Sequence, residues 1–99
     1  MIRVTDTGSA IEISGHAGYA GRGQDIVCEA VSSLVQTTFA SICDEIGSNA
    51  YTITQSGYAM IRTPDHAPES YHVLVRHLRR GLRMLAEAYP KYIQIEGMN

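Results

Sequence analysis

Gly15-His16-Ala17-Gly18-Tyr19-Ala20-Gly21-Arg22-Gly23-Gln24-Asp25-Ile26-Val27-Cys28 is the stretch on which the fold turns. Just before it, Ala10 to Ser14 alternates apolar and polar residues, the period of a half-buried strand. Gly15 to Gln24 holds four glycines and no apolar period, so it reads as a loop. Asp25 is a good helix N-cap. After it Val27, Ala30, Val31, Leu34, Val35, Thr38, Ile42 and Ile46 recur at helical spacing, and Gly47 is a C-terminal stop. The pattern predicts a helix over 26–46 whose apolar stripe is wide enough to cover a sheet.

Working outward, Ile2 to Thr5 alternates as a strand, and Asp6-Thr7-Gly8-Ser9 turns it into the next strand as a hairpin. Downstream, Tyr51 to Gln55 and Tyr58 to Thr63 are rich in β-branched and aromatic residues, with Ser56-Gly57 between them as a second hairpin. Pro68 and Glu69 suit the first turn of a second helix. Its stripe is Tyr71, Leu74, Val75, Leu78, Leu82, Leu85, Ala86 and Tyr89, and Pro90 ends it. Tyr92 to Glu96 alternates as a last strand. The order ββαββαβ predicts an α+β fold, a mostly antiparallel sheet with two helices packed on one face, in one domain over 1–99. The other sheet face is left partly apolar, which motivates a homodimer.

The chain of 99 residues is long enough for one modest core, and 44% hydrophobic residues argue against disorder. No apolar run approaches the roughly 20 residues of a membrane span, and the N-terminus lacks a signal-peptide pattern. The expected location is the cytoplasm. A net charge of −2 argues against general nucleic-acid binding. Cys28 and Cys43 fall on one predicted helix, about 22 Å apart by helical rise. An internal disulfide is therefore excluded, and both are expected as thiols.

Chemistry concentrates at the loop. Cys28 is the third helical residue, where the helix dipole and free backbone N–H groups favour thiolate, the nucleophilic form. His16 leaves the second strand at the same end and is the candidate base. N–H groups at the helix start are candidate oxyanion donors. Gly18, Gly21 and Gly23 give the loop freedom to open and close over an extended peptide. The opposing reading of Cys28 is ordinary core packing, common for cysteine. Cys43, with no histidine or loop beside it, reads as core. The loop lacks a Gly-Lys-Ser/Thr ending, and an acid opens the helix, so it is not a phosphate loop. No Cys/His pair has zinc-finger spacing, His66, His72 and His77 form no metal set, and no cofactor is expected.

Gly15-His16-Ala17, a variable glycine-containing loop, then Gly23-x-Asp25-Ile26-Val27-Cys28-x-Ala30-Val31-Ser32 resembles the signature of Prp, the ribosomal-processing cysteine protease family of Firmicutes, related bacteria and their phages. Element order and length match over essentially the whole chain. The resemblance implies a homodimeric cytoplasmic endopeptidase. Its substrate would be the short N-terminal extension of the large-subunit ribosomal protein numbered twenty-seven, or capsid or scaffold proteins in phage-linked relatives. It also implies an extended apolar or aromatic stretch before the cut. By motif Cys28 is the nucleophile, His16 the general base and Gly15 a hinge. Asp25 and Ser32 also fall on motif positions; helix cap and ordinary helix residue are their plainer readings. Many members carry a small residue where Glu29 stands. No third catalytic residue is evident, so a dyad is expected.

Arg76, Arg79, Arg80 and Arg83 recur at i, i+3, i+4 and i+7 on one face of the second helix. A solvated outer face is the favoured reading, and contact with RNA or an acidic partner the sharper one. On the sharper reading the chain is a dimeric module binding ribosomal protein or RNA. The histidine-to-cysteine spacing favours an enzyme that requires neither nucleic acid nor membrane.

Overall fold

Alternation in the first strand puts Ile2, Val4 and Asp6 on one buried face and leaves Arg3 and Thr5 exposed. The computed structural model, which describes residues 1–21 and 23–97, builds the rest of the molecule around that face. Strands β1 (Ile2–Asp6) and β2 (Ala10–Ser14) pair as an antiparallel hairpin, and helix α1 (Ile26–Ile46) follows the glycine loop. A 3-10 turn over Gly47–Asn49 leads to β3 (Tyr51–Gln55) and β4 (Tyr58–Arg62). Helix α2 (Glu69–Ala88) and β5 (Ile93–Gly97) complete the chain order.

The five strands form one sheet in the order β3-β4-β2-β1-β5. All neighbours are antiparallel except β1 and β5, which run parallel with Val4 opposite Ile95. In register, Val4 faces Ile13 and Ile11 faces Ile61. These side chains make an apolar floor. Val27, Val31, Val35, Phe39 and Ile42 of α1, with Tyr71, Val75, Leu78 and Leu82 of α2, close the core over it. Burying a side chain such as Leu78 fully contributes about 1.5–3 kcal/mol, which is why the helical stripes dock here. Both helices on one face is the layering expected of the sequence.

Small boundary differences have local causes. The ladder runs on past β4, where the Thr63 N–H donates to the Ser9 carbonyl at 2.8 Å. Tyr92 precedes β5 because its N–H is taken by the Tyr89 carbonyl at 3.0 Å, closing a turn. Helix α2 stops at Ala88 because Tyr89, before Pro90, takes an extended φ of −129°.

Three expectations change. Cys43 is exposed, not core: it lies one residue past buried Ile42, and that step turns it out of the stripe. Arg79 is not part of a solvated face. Its Nε donates to Asp6 Oδ2 at 2.6 Å, tying α2 to β1, and only 5% of the Asp6 side chain is exposed. Arg76 pairs with Glu69 at 2.9 Å on the open surface. Finally, α1 and its 3-10 extension are long and apolar enough by composition to cross a membrane, with mean hydropathy 1.4. In this fold the apolar stripe of α1 instead covers the sheet.

Candidate active site

Asp25 begins the site. Its β-region backbone (φ −85°, ψ 96°) makes it the N-cap of α1, and its Oδ1 accepts from the Val27 and Cys28 N–H groups at 3.1 and 2.9 Å. Oδ2 reaches back into the loop to accept the Tyr19 N–H at 3.1 Å. One carboxylate thus joins helix start to loop. The Cys28 N–H bond is the largest influence on the carboxyl, and with the loop N–H groups it holds the group below its ordinary value of 3.8.

The same cap changes the expected oxyanion chemistry. The Val27 and Cys28 N–H groups are committed to Asp25, and the Glu29 N–H donates to the Asp25 carbonyl at 3.0 Å. Capping has consumed the donors expected to be free. The donor that does face the thiol comes from the loop: the Ala17 N–H points at Cys28 Sγ, 3.1 Å away.

His16 is fixed through its backbone. Gly15 donates to the Gly57 carbonyl at 2.9 Å, continuing the β2–β4 ladder, and the amino nitrogen of Met1 donates to the His16 carbonyl. Gly15 takes φ 91°, and a Cβ there would collide with the Met1 carbonyl oxygen. Close packing and left-handed backbone both demand glycine at this position. The imidazole lies over the β3–β4 turn. A Cβ built on Gly57, itself at φ 73°, would stand 3.0 Å from His16 Nε2.

His16 and Cys28 line one groove of about 530 Å³, with Val31, Ser32, Val35 and Gln36 of α1 on one side and Gly15 and Thr54 to Ala59 of the sheet on the other. Tyr58, on that second wall, donates its hydroxyl to Glu12 at 3.1 Å. Burial first, and then this carboxylate, push the phenol above its ordinary range. Among the described residues no side-chain hydrogen bond joins His16 to Cys28 or Ser32 to Cys28. Gly18, Gly21 and Gly23 lie on the loop away from the groove, and a Cβ at any of them would meet open space.

Sequence reasoning missed three features. Ala17 supplies the thiol's donor, and Gly57 supplies the surface under His16. Tyr19 packs edge-on against Tyr92 and Tyr89, with ring centroids 5.2 and 6.0 Å apart, and anchors the loop to the end of α2. All three are long-range or backbone contacts, for which a single sequence carries no periodic signal.

The profile of the family described as "Cysteine protease Prp" matches residues 1–94. The ribosomal processing cysteine protease Prp of Mycoplasma pneumoniae is 26% identical over 103 residues, spanning 97% of this chain and 94% of that protein. The crystal structure of SMU.848 from Streptococcus mutans is similar at TM-score 0.79 and 26% identity, over 99% of this chain and 94% of the other. The essential ribosomal processing protease Prp from S. aureus, in complex with a covalently linked product peptide, shares the fold at TM-score 0.85. It is 18% identical, over 98% of this chain and 97% of the other. The match over nearly its whole length means that the chain belongs to the Prp family of cysteine proteases.

Proposed function

We propose that this chain is a cytoplasmic, homodimeric endopeptidase working through a Cys28–His16 dyad, and that it removes the N-terminal extension of the large-subunit ribosomal protein numbered twenty-seven. The observation carrying the chemistry is the Ala17 N–H directed at Cys28 Sγ at 3.1 Å in a groove that His16 also lines. That bond holds the sulfur facing the groove, and Cys28 gives its thiol proton to His16 to become the nucleophilic thiolate. The thiolate attacks the scissile carbonyl carbon. His16, as imidazolium, gives its proton to the leaving amine, and a thioester on Cys28 remains. His16 then takes a proton from water, the hydroxide attacks the thioester, and the thiolate is released. Substrate binding draws His16 to the sulfur, since catalytic contacts commonly tighten only in the complex.

The homodimer rests on the sheet face away from the helices, where Tyr51 and Ile53 stay exposed. A monomer mass in sedimentation at high concentration overturns that part.

The test is cleavage of a fluorogenic peptide spanning the junction of the ribosomal extension, with wild type beside Cys28→Ala. Cleavage by wild type and a loss of roughly a thousandfold or more in the variant are expected, with an unchanged circular dichroism spectrum. Equal activity in both removes Cys28 as the nucleophile. No cleavage by either removes the ribosomal substrate.

A further inference from the structure

β3 is an edge strand, paired with β4 alone. The parity of its hydrogen bonds can be worked out from its neighbours. The Gly15 N–H bonds to the Gly57 carbonyl, and the Thr63 N–H bonds to the Ser9 carbonyl. Gly57 and Thr63 thus turn their backbone groups towards β2, and in an antiparallel ladder alternate residues do the same. Ala59 and Ile61 therefore face β2, while Tyr58, Met60 and Arg62 face β3. Their partners there are Gln55, Ile53 and Tyr51. The remaining residues of the edge, Thr52 and Thr54, send their N–H and C=O groups outward. Among the described residues no backbone bond outside the sheet engages either of them.

This open edge lacks the usual protections. Tyr51-Thr52-Ile53-Thr54-Gln55 contains no lysine, no proline and no charge, and its register with β4 is unbroken by a bulge. One end of this edge, at Thr54, also borders the groove. Thr52 and Thr54 pair with Ile61 and Ala59, so their side chains stand on the helix side of the sheet. Thr54 and Gln55 line the groove opposite Ser32 and Gln36 of α1, and the same groove runs on to His16 and Cys28. An extended peptide leaving the groove past Thr54 meets unpaired donors and acceptors spaced two residues apart along the edge.

We propose that substrate binds by strand addition: a peptide whose scissile bond lies in the groove continues past Thr54 and pairs with the outward backbone groups of Thr54 and Thr52 as a sixth strand beyond β3. The inference rests on the peptidase reading above and says how the substrate is held. Main-chain pairing supplies sequence-independent affinity, and the groove floor selects alternate side chains.

A scan of backbone N-methylation along the same fluorogenic peptide tests it. Only every second substrate N–H faces the edge, so methylation at one parity is expected to lower kcat/KM about tenfold or more, and at the other to be tolerated. Thr54→Pro removes an outward N–H and leaves the β3–β4 ladder donors in place, so KM should rise with the circular dichroism spectrum unchanged. Cleavage of the parent peptide without alternation in the scan overturns strand addition and leaves the peptidase standing. A parent peptide neither cleaved by wild type nor bound by Cys28→Ala overturns both. Conversion of a dimer to monomers by Thr54→Pro, with KM unchanged, assigns the edge to a second copy of the chain and also overturns the proposal.

Discussion

Asp25 binds three backbone N–H groups with two oxygens, so its charge is linked to folding. Its folded carboxyl titrates below the ordinary value of 3.8. The unfolded chain therefore takes up the proton first as pH falls. The stability this gives is complete above the unfolded value and disappears as pH drops through the lower folded one. Thermal melts between pH 5 and about pH 2 should show a steep acid limb in wild type and a shallower one in Asp25→Asn. Asn caps well, so the variant should still fold at neutral pH; equal acid limbs would contradict the linkage. Gly57 offers a second residue-scale check. In Gly57→Ala the new methyl must displace the His16 ring, because the Cβ would sit 3.0 Å from Nε2. The expected cost is about 1 kcal/mol of stability from the positive φ. Cleavage should fall further, about 10- to 100-fold in kcat, because the imidazole is displaced. A melting loss with no kinetic effect would mean that the ring position is immaterial.

At the scale of elements, the Asp6–Arg79 pair is the bolt between β1 and α2. Arg79 Nε and Nη2 both reach the carboxylate, at 2.6 and 3.1 Å, and Nη2 also reaches the Gly8 carbonyl at 3.3 Å. Arg79→Ala strands a buried charge and should cost about 2–3 kcal/mol in urea unfolding, less than a fully buried pair because the arginine is partly exposed. In Asp6→Ala combined with Arg79→Ala much of that loss should be recovered; additive losses would mean the two residues act independently. This pair also shows where sequence reading stops. The first strand, read as ending at Thr5 with Asp6 in the turn, and the helix of Arg79 were legible from local periodicity, as was the cap at Asp25, whose helical partners lie within three residues along α1. Nothing local to Arg79 distinguishes it from Arg76, Arg80 and Arg83, since its partner lies far away along the chain. Cys43 fails for a related reason. It has the composition of a core residue, and only the one-residue offset from Ile42 turns it outward.

At the scale of the whole molecule, the pair of candidate groups was readable because they flank one loop, while the groove they line was not. Its walls come from β1, β2, α1, β3 and β4, and which strand lies beside which is decided by long-range pairing that no window of sequence contains. The same pairing governs timing. β1 is an inner strand of the sheet, flanked by β2 and by β5, the last strand of the chain. A ribosome delivers β1 some ninety residues before β5. Ile2, a lining residue of the groove, thus waits for Ile93 to emerge before its strand is paired on both sides. Contacts that span so much of the chain also slow the search for the native state. A copy synthesised only as far as β4 carries the thiol of Cys28 without the completed sheet beneath it, so the groove takes its full shape only after β5 has joined.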